Sequence, residues 1–198
     1  MSLLFETIKV VNNSLLNLDY HNERVNRSRK QLFSADEDWD LASLIALPEL
    51  NPQLVYKCKF LYLEEVVAIE FHSYTIKPIR TLKLVDSPEI EYDLKYFDRS
   101  ELDVIKLSNH QTDDIIIVQN QRLTDCSYAN IVFSDGQKWF TPSTPLLKGT
   151  KRQKYIKEKV ISETDITTFD LRLFTKARII NAMIDLEECS DIRMENIF

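Results

Sequence analysis

Polar and apolar residues alternate along several short segments in the first half of the chain, and this period of two predicts β-strands. The clearest segment is VYKCKFLYL, residues 55–63, which places Lys59 on one face and Phe60 on the other. VVAIEFHSY, residues 66–74, follows after two glutamates and is its expected hairpin partner. A further strand is predicted near the start of the chain, at residues 6–11.

The residues after this first strand indicate a tight turn and then two helices. Asn12-Asn13-Ser14 forms the turn, because asparagine tolerates the left-handed backbone that such turns require. A short second strand is predicted at residues 15–18. Asp19 is then placed to cap a helix that runs from about Tyr20 to Phe33. A second short helix is predicted from Trp39 to Ala46, before two prolines.

The second half of the chain mixes helical and extended patterns. DRSELDVIKL, residues 98–107, predicts a helix, and the β-branched run in residues 113–120 predicts a buried strand. Residues 126–142 predict a β-hairpin, and residues 146–159 predict a loop that leads into a helix. SETDITTFDLRLF, residues 162–174, predicts a short strand and a helix.

The order of these elements predicts an α+β fold with two lobes. Strands and helices of the first part, closed by a strand at residues 81–86, form a small α+β lobe over residues 1–86. Ser87-Pro88 opens a linker candidate that extends to Lys95, so the second, larger lobe spans residues 87–198.

The chain contains only two glycines, Gly136 and Gly149, both in its most turn-rich segment. Gly136 ends the Ser134-Asp135-Gly136 turn, where it is expected to supply a positive φ. Gly149 precedes Thr150 at the predicted start of a helix. The unpaired amides and positive dipole of a helix start can bind phosphate, and a glycine lets the anion approach closely; a plain helix cap is the alternative.

The composition restricts the class of function. The chain is 44% hydrophobic and 28% charged with a net charge of −6, which is unfavourable for nucleic-acid binding. It contains neither a long apolar run nor a signal-peptide pattern, so we expect a cytoplasmic protein without a membrane span. Its three cysteines are widely spaced and suit buried thiols. No metal-ligand spacing is present, and we expect no metal.

Five segments in order resemble the class IV pyridoxal-phosphate aminotransferases, which share the D-amino acid aminotransferase-like fold. They are ETIKV, LDYHNERVNRS, LKYFDRS, LTDCSYANIVF with the following DG and WFTP, and LLKGTKR. The resemblance extends from Glu6 to about Asn181. It implies a two-lobed fold with pyridoxal 5'-phosphate as cofactor and a first lobe that is shorter than usual.

The resemblance also implies a role for individual residues. Lys95 of LKYFDRS matches the catalytic lysine that forms the Schiff base with the cofactor. Asp125 matches the acid that pairs with the pyridine nitrogen, although the family usually has glutamate there. Arg24, three residues after His21, matches the phosphate-binding arginine. The remaining cofactor-binding matches are Asn130, Ile131, Gly149 and Thr150.

Among the reactions of this family, the segments are most similar to the compact 4-amino-4-deoxychorismate lyases, which form 4-aminobenzoate and pyruvate. Transamination of an amino acid remains open, as does a non-catalytic relative that only binds a metabolite or partner. The resemblance implies a small-molecule amino substrate and a homodimer. Lys57, Lys59, Arg99 and Arg152 are candidates for binding a substrate carboxylate.

Overall fold

The computed structural model describes residues 2–198, which divide into two compact units. Unit 1 comprises the described residues up to Ile76 together with Leu94–Asp98, and unit 2 comprises Lys77–Asp93 and Arg99–Phe198. The fold mixes sheets with few helices, as the sequence predicts. The helix predicted around Asp98 begins only at Ser100, in unit 2.

Unit 1 is built on a four-stranded antiparallel sheet. Its strands are β1 (Leu4–Val11), β2 (Ser14–Leu15), β3 (Tyr56–Tyr62) and β4 (Val66–Ser73). They lie in the order β2-β1-β3-β4. The predicted β3–β4 hairpin is confirmed, with Lys59 opposite Glu70.

Asparagines provide the left-handed backbone in unit 1 that glycine provides in most proteins. Asn12 and Asn13 have φ values of 49° and 55° in the β1–β2 turn, and Asn17 has φ 58° just before the first helix. Asparagine is tolerated there because its short side chain forms local hydrogen bonds. Only Gly136 among the glycines has a positive φ, at 100°, which confirms its predicted role in the turn.

Two helices follow β2 in unit 1. Helix α1 (Leu18–Phe33) starts earlier than predicted, with Asn17 as its N-cap instead of Asp19, and therefore the predicted second strand shortens to β2. Helix α2 (Leu41–Leu44) is a single turn, shorter than predicted, and the Asp40 side chain caps it by accepting from the Ala42 amide.

The core of unit 1 lies between the sheet and α1. Alternate residues of β1 and β3 face the helix because strand side chains alternate between faces. The buried members of this core are Leu4, Ile8, Val10, Val25, Leu41, Ile45, Cys58, Phe60, Tyr62 and Leu94. Trp39 covers it, with its ring centroid 6.0 Å from that of Phe60.

Unit 2 contains one eight-stranded sheet. Its strands are β5 (Leu82–Asp86), β6 (Asp114–Gln119), β7 (Arg122–Cys126), β8 (Asn130–Ser134), β9 (Trp139–Pro142), β10 (Ser162–Thr164), β11 (Lys176–Ile180) and β12 (Ile192–Arg193). The path runs β10-β9-β8-β7-β6-β5, with β11 paired to both β8 and β12. The β5–β6 and β10–β9 pairs are parallel. Strand β5, which the sequence groups with the first lobe, therefore lies in unit 2.

The helices of unit 2 are short. They are α3 (Ser100–Leu107) and α4 (Thr150–Lys157). The segment Thr168–Leu173, predicted as a helix, is a 3₁₀ helix. A capping box between Thr167 and Asp170 stabilises its N-terminus. No helix in residues 2–198 is long and apolar enough to cross a membrane.

Candidate active site

A buried ionic cluster in unit 1 joins β1 to α1. The Glu6 side chain is fully buried among the core residues on the helix-facing side of β1. Arg24 donates from Nε to Glu6 Oε1 at 2.7 Å and from Nη2 to Oε2 at 2.5 Å. His21 Nδ1 lies 2.5 Å from the same Oε2. His21 and Arg24 are three residues apart on α1, so both side chains reach one carboxylate.

The charges in this cluster follow from their surroundings. Burial raises the pKa of Glu6, but the Arg24 charge and hydrogen bonds from His21 and Arg24 outweigh it and lower the pKa to about 2. Burial lowers the pKa of His21 below its usual value, against the opposing effect of Glu6. At neutral pH the cluster therefore contains an ionised Glu6, a charged Arg24 and a neutral His21.

Lys95 lies in a segment that extends the unit 1 sheet beside β1. Leu4 and Tyr96 form an antiparallel bridge, and the Phe5 amide donates to the Lys95 carbonyl at 3.1 Å. The half-buried Lys95 side chain is placed with its Nζ 4.4 Å from the centroid of the Phe5 ring. Sheet pairing therefore fixes the backbone of the predicted catalytic lysine.

Asp125 is a buried carboxylate at the centre of a hydrogen-bonded cluster in unit 2. It lies on β7, opposite Asn130 on β8. Its Oδ1 accepts from Asn130 Nδ2 at 2.7 Å, and its Oδ2 accepts from the Leu147 amide at 2.9 Å. Burial raises the pKa of Asp125 to about 6, despite these hydrogen bonds. The side chain is thus ionised at neutral pH but close to taking up a proton.

Position 149 requires glycine because there is no room for a Cβ, and not because of its backbone conformation. It is the N-cap of α4 with φ −61° and ψ 143°, which any residue adopts. A Cβ at this position would lie 2.1 Å from Asn130 Oδ1. Asn130 also donates to the Leu147 carbonyl at 2.9 Å, so the missing side chain of Gly149 makes room for the amide that holds Asp125.

Thr150 and Ile131 complete the set of predicted residues. Thr150 is the buried first residue of α4, which confirms that Gly149 and Thr150 stand at a helix start. Ile131 is fully buried on β8, and its carbonyl accepts from the Thr141 hydroxyl at 2.8 Å.

The predicted residues divide between the two units. Unit 1 contains Arg24 and Lys95, and unit 2 brings Asp125, Asn130 and Gly149 into one cluster. The sequence interpretation missed Glu6, the partner of Arg24. A signal was present, because the alternation of β1 puts Glu6 on the same face as Leu4 and Ile8, where a carboxylate needs a cationic partner.

Two of the four candidate carboxylate binders have other roles. Arg152 is buried, and its Nη2 donates to the Pro142 carbonyl at 2.9 Å and to Glu163 Oε1 at 2.6 Å. Arg99 donates to the Ser127 carbonyl, and its guanidinium lies 5.8 Å from the Tyr92 ring centroid. These bonds anchor loops and strands within unit 2.

The other reactive side chains offer little further chemistry. All three cysteines are free and buried. Burial raises the pKa of the Cys58 thiol to about 12 and raises that of Cys126 well above its usual value. Within residues 2–198, no group of three histidine, cysteine, aspartate or glutamate side chains could hold a metal ion.

Comparisons with known proteins identify a family. The sequence model of the class IV aminotransferases matches residues 65–192. An uncharacterised protein of Haemophilus influenzae (strain ATCC 51907 / DSM 11121 / KW20 / Rd) is 38% identical over 182 residues, covering 91% of this chain and 97% of its own length.

Solved structures give the same fold. A crystal structure from Haemophilus somnus 129PT, provisionally assigned as a 4-amino-4-deoxychorismate lyase, is 31% identical with a TM-score of 0.86, covering 94% of this chain and 98% of its own. A Brucella abortus aminotransferase bound to pyridoxal phosphate is 13% identical with a TM-score of 0.70, covering 96% of this chain and 80% of its own.

Proposed function

Because this chain belongs to the class IV aminotransferase family, we propose that it is a pyridoxal-phosphate enzyme that converts 4-amino-4-deoxychorismate into 4-aminobenzoate and pyruvate. The observation that carries the proposal is the likeness, over nearly the full length of both chains, to the Haemophilus somnus protein provisionally assigned to this reaction. The chain also retains a lysine, an acid and an arginine at the positions of the family motifs.

The side chains present suit this cofactor. Pyridoxal phosphate, when bound, supplies an aldehyde that reacts with amines and a protonated ring that withdraws electrons. Lys95 provides an amine, and the buried carboxylate of Asp125 suits a ring nitrogen that carries a proton. The family resemblance assigns the phosphate donors to Arg24 in unit 1 and to the α4 start at Gly149 and Thr150 in unit 2, and both are groups that bind anions well.

Arg24 is well prepared to bind an anion. The two bonds to Glu6 engage Nε and Nη2 of the Arg24 guanidinium. These bonds fix the guanidinium plane, so little rotational freedom is left to lose when a phosphate binds. In the proposed function Glu6 is therefore a positioning residue, which orients Arg24.

Asp125 would control the proton on the ring nitrogen. The Leu147 amide and Asn130 each donate to one of its oxygens, and a carboxylate has lone pairs for further donors. A cationic partner would lower its pKa from the value of about 6 that burial sets, and so would keep the carboxylate ionised. Asparagine at this position would hold no such charge.

Lys95 would move protons during the reaction. With the cofactor bound, the Lys95 amine would serve as the group that accepts a proton from the substrate and returns one as general acid. Backbone pairing with β1 holds the start of its side chain in a defined place.

The test combines a visible spectrum with product analysis. Protein mixed with pyridoxal phosphate should show the absorbance of a lysine-bound cofactor, and Lys95→Ala should abolish it. The loaded protein should then form 4-aminobenzoate and pyruvate in equal amounts from 4-amino-4-deoxychorismate, with Lys154→Ala as a matched control. Absence of the cofactor absorbance in the wild type would favour a non-catalytic binding protein.

Aminotransferase activity is the alternative enzymatic outcome. It would appear as strict dependence on a 2-oxo acid acceptor, and that result would contradict the lyase proposal. We also propose that the enzyme is a cytoplasmic homodimer, as the family resemblance implies. Sedimentation should give twice the mass of the 23.3 kDa chain, and a monomer would contradict this part of the proposal.

A further inference from the structure

The loop between β9 and α4 contacts the buried carboxylate of Asp125. We call residues 143–149 the β9–α4 loop. Its Leu147 amide donates to Asp125 Oδ2 at 2.9 Å, and its Leu147 carbonyl accepts from Asn130 Nδ2 at 2.9 Å. Gly149, at the end of the loop, leaves the space that Asn130 Oδ1 occupies. The loop therefore supplies one donor to Asp125 directly and holds the second donor, Asn130, in place.

Arg152 joins the two ends of this loop. It is the third residue of α4, and it is only 1% exposed. Its Nη2 donates at 2.9 Å to the carbonyl of Pro142, the last residue of β9. This bond connects the residue just before the loop to the helical turn just after it. A contact that fixes both ends of a loop reduces the conformations that the loop can adopt.

Glu163 on β10 orients the guanidinium of Arg152. Its Oε1 accepts from Arg152 Nη2 at 2.6 Å. Strand β10 runs parallel to β9 with Glu163 opposite Thr141, so sheet pairing places this carboxylate beside the end of β9. Because a guanidinium is planar and its donors have fixed directions, the carboxylate helps to aim Nη2 at the Pro142 carbonyl.

The first half of the β9–α4 loop has anchors of its own. The Ser143 amide donates to the Thr164 carbonyl at 2.9 Å, and the Thr144 hydroxyl donates to the Leu123 carbonyl at 3.2 Å. The second half leads into α4 and carries the groups that contact Asp125 and Asn130. The position of this half depends on where α4 begins, and Arg152 fixes that point relative to β9.

We propose that Arg152 is a positioning residue for Asp125: by tying the first turn of α4 to the end of β9, it keeps Leu147 and Asn130 in place as donors to the carboxylate. The inference rests on the proposed function, because it takes Asp125 as the acid that meets the ring nitrogen of the cofactor. Arg152 acts through the loop and does not itself bind the substrate carboxylate.

The electrostatics of the cluster make this role measurable. Burial raises the pKa of Asp125 to about 6, whereas the Leu147 amide, Asn130 and the positive charge of Arg152 each lower it. Burial raises the pKa of the neighbouring Cys126 thiol well above its usual value, so that thiol stays neutral. Loss of Arg152 would remove a positive charge and loosen two donors, and all three changes favour the protonated carboxyl. A protonated Asp125 offers no negative charge to a protonated ring nitrogen.

The test follows the protonation of Asp125 in the cofactor-free protein. The infrared carbonyl absorption of its protonated carboxyl, identified by its absence from Asp125→Asn, is measured against pH. In Arg152→Met, which keeps an unbranched side chain without the guanidinium, the midpoint should lie about one pH unit higher than in the wild type. Absorbance titration at pH 7 should show pyridoxal phosphate binding about tenfold more weakly, since a hydrogen bond to a charged group contributes about this much.

Two further variants keep the test specific. Arg122→Met is the control, because Arg122 is an exposed unit 2 arginine whose Nε lies 2.9 Å from Asp165 Oδ1. It should leave the midpoint and the affinity unchanged. Arg152→Lys keeps the positive charge but lacks the planar fork that reaches Pro142 and Glu163, so it should shift both quantities in the same direction by a smaller amount. A wild-type midpoint and affinity in folded Arg152→Lys would overturn the proposal, whether or not Arg152→Met folds.

The infrared titration needs neither cofactor nor substrate. If the protein forms no 4-aminobenzoate but the Arg152 variants shift the Asp125 midpoint as expected, the lyase proposal fails and the positioning role stands. If the protein converts 4-amino-4-deoxychorismate but the Arg152 variants titrate and bind the cofactor as the wild type does, the positioning role fails and the lyase proposal stands.

Discussion

The buried cluster of Glu6, His21 and Arg24 should dominate the acid sensitivity of unit 1. The pKa of Glu6 falls from 4.5 in the unfolded chain to about 2 in the fold, so its contribution is present above pH 4.5 and is lost as the pH falls to 2. A difference of about 2.5 pKa units corresponds to about 3 kcal/mol of unfolding free energy. This agrees in order of magnitude with the 3–5 kcal/mol typical of a broken buried ion pair.

The perturbation is Glu6→Gln, which keeps the shape of the side chain and removes its charge. Arg24 would then remain buried without its anionic partner, so unit 1 should lose about 3 kcal/mol at pH 7. The variant should also lack the steep fall in stability between pH 4.5 and 2. Below pH 2 the wild type and the variant should converge.

The two tryptophans allow unit 1 to be measured separately. Trp39 covers the unit 1 core, and Trp139 packs in a unit 2 cluster with Val132 and Tyr155. In a Trp139→Phe background, urea unfolding followed by fluorescence therefore reports on unit 1 alone. The control is Glu70→Gln, the same substitution at a more exposed position of the same sheet. If Glu6→Gln lowers the stability no more than Glu70→Gln does, the reasoning about the buried cluster is refuted.

Three further predictions concern unit 2 and the thiols. Gly149→Ala should weaken the binding of pyridoxal phosphate, because the Cβ of the alanine would displace Asn130 from Asp125. Absorbance titration measures this affinity, and an unchanged affinity of the variant would contradict the prediction. Burial raises the pKa of Asp125 from 3.8 to about 6, so the unfolding free energy of cofactor-free unit 2 should fall by about 3 kcal/mol as the pH rises from 4 to 6. The Asp125→Asn variant, which has no titrating group at this position, should not show this fall. Trp139 fluorescence in a Trp39→Phe background measures the unfolding of unit 2, and parallel pH profiles of the two proteins would refute the prediction. The three buried cysteines should react with a thiol reagent at pH 8 only after urea unfolding, and rapid labelling of the folded protein would show the burial to be wrong.

Short-range sequence patterns were sufficient to predict most of the helices and strands. Strict alternation located β3 and β4, and the turn at Gly136 located the β8–β9 hairpin, because these signals are short-range. Strand β7 was missed, since its sequence RLTDC lacks both a clear period and β-branched enrichment. Pairing with β6 and β8 decides its structure. The position of β5 in unit 2 likewise depends on parallel pairing with β6, a contact that no local pattern encodes.

The same division applies to the candidate site. The sequence alone predicted the candidate site residues Lys95, Asp125 and Arg24 through the family motifs, and it predicted the helix start at Gly149, which the structure confirms. Only the tertiary structure decided what each side chain contacts: that Glu6 holds Arg24, and that Asn130 occupies the space beside Gly149. The physical reason is distance along the chain. Residues 18 apart, such as Glu6 and Arg24, meet only when β1 and α1 pack together and exclude water from between them.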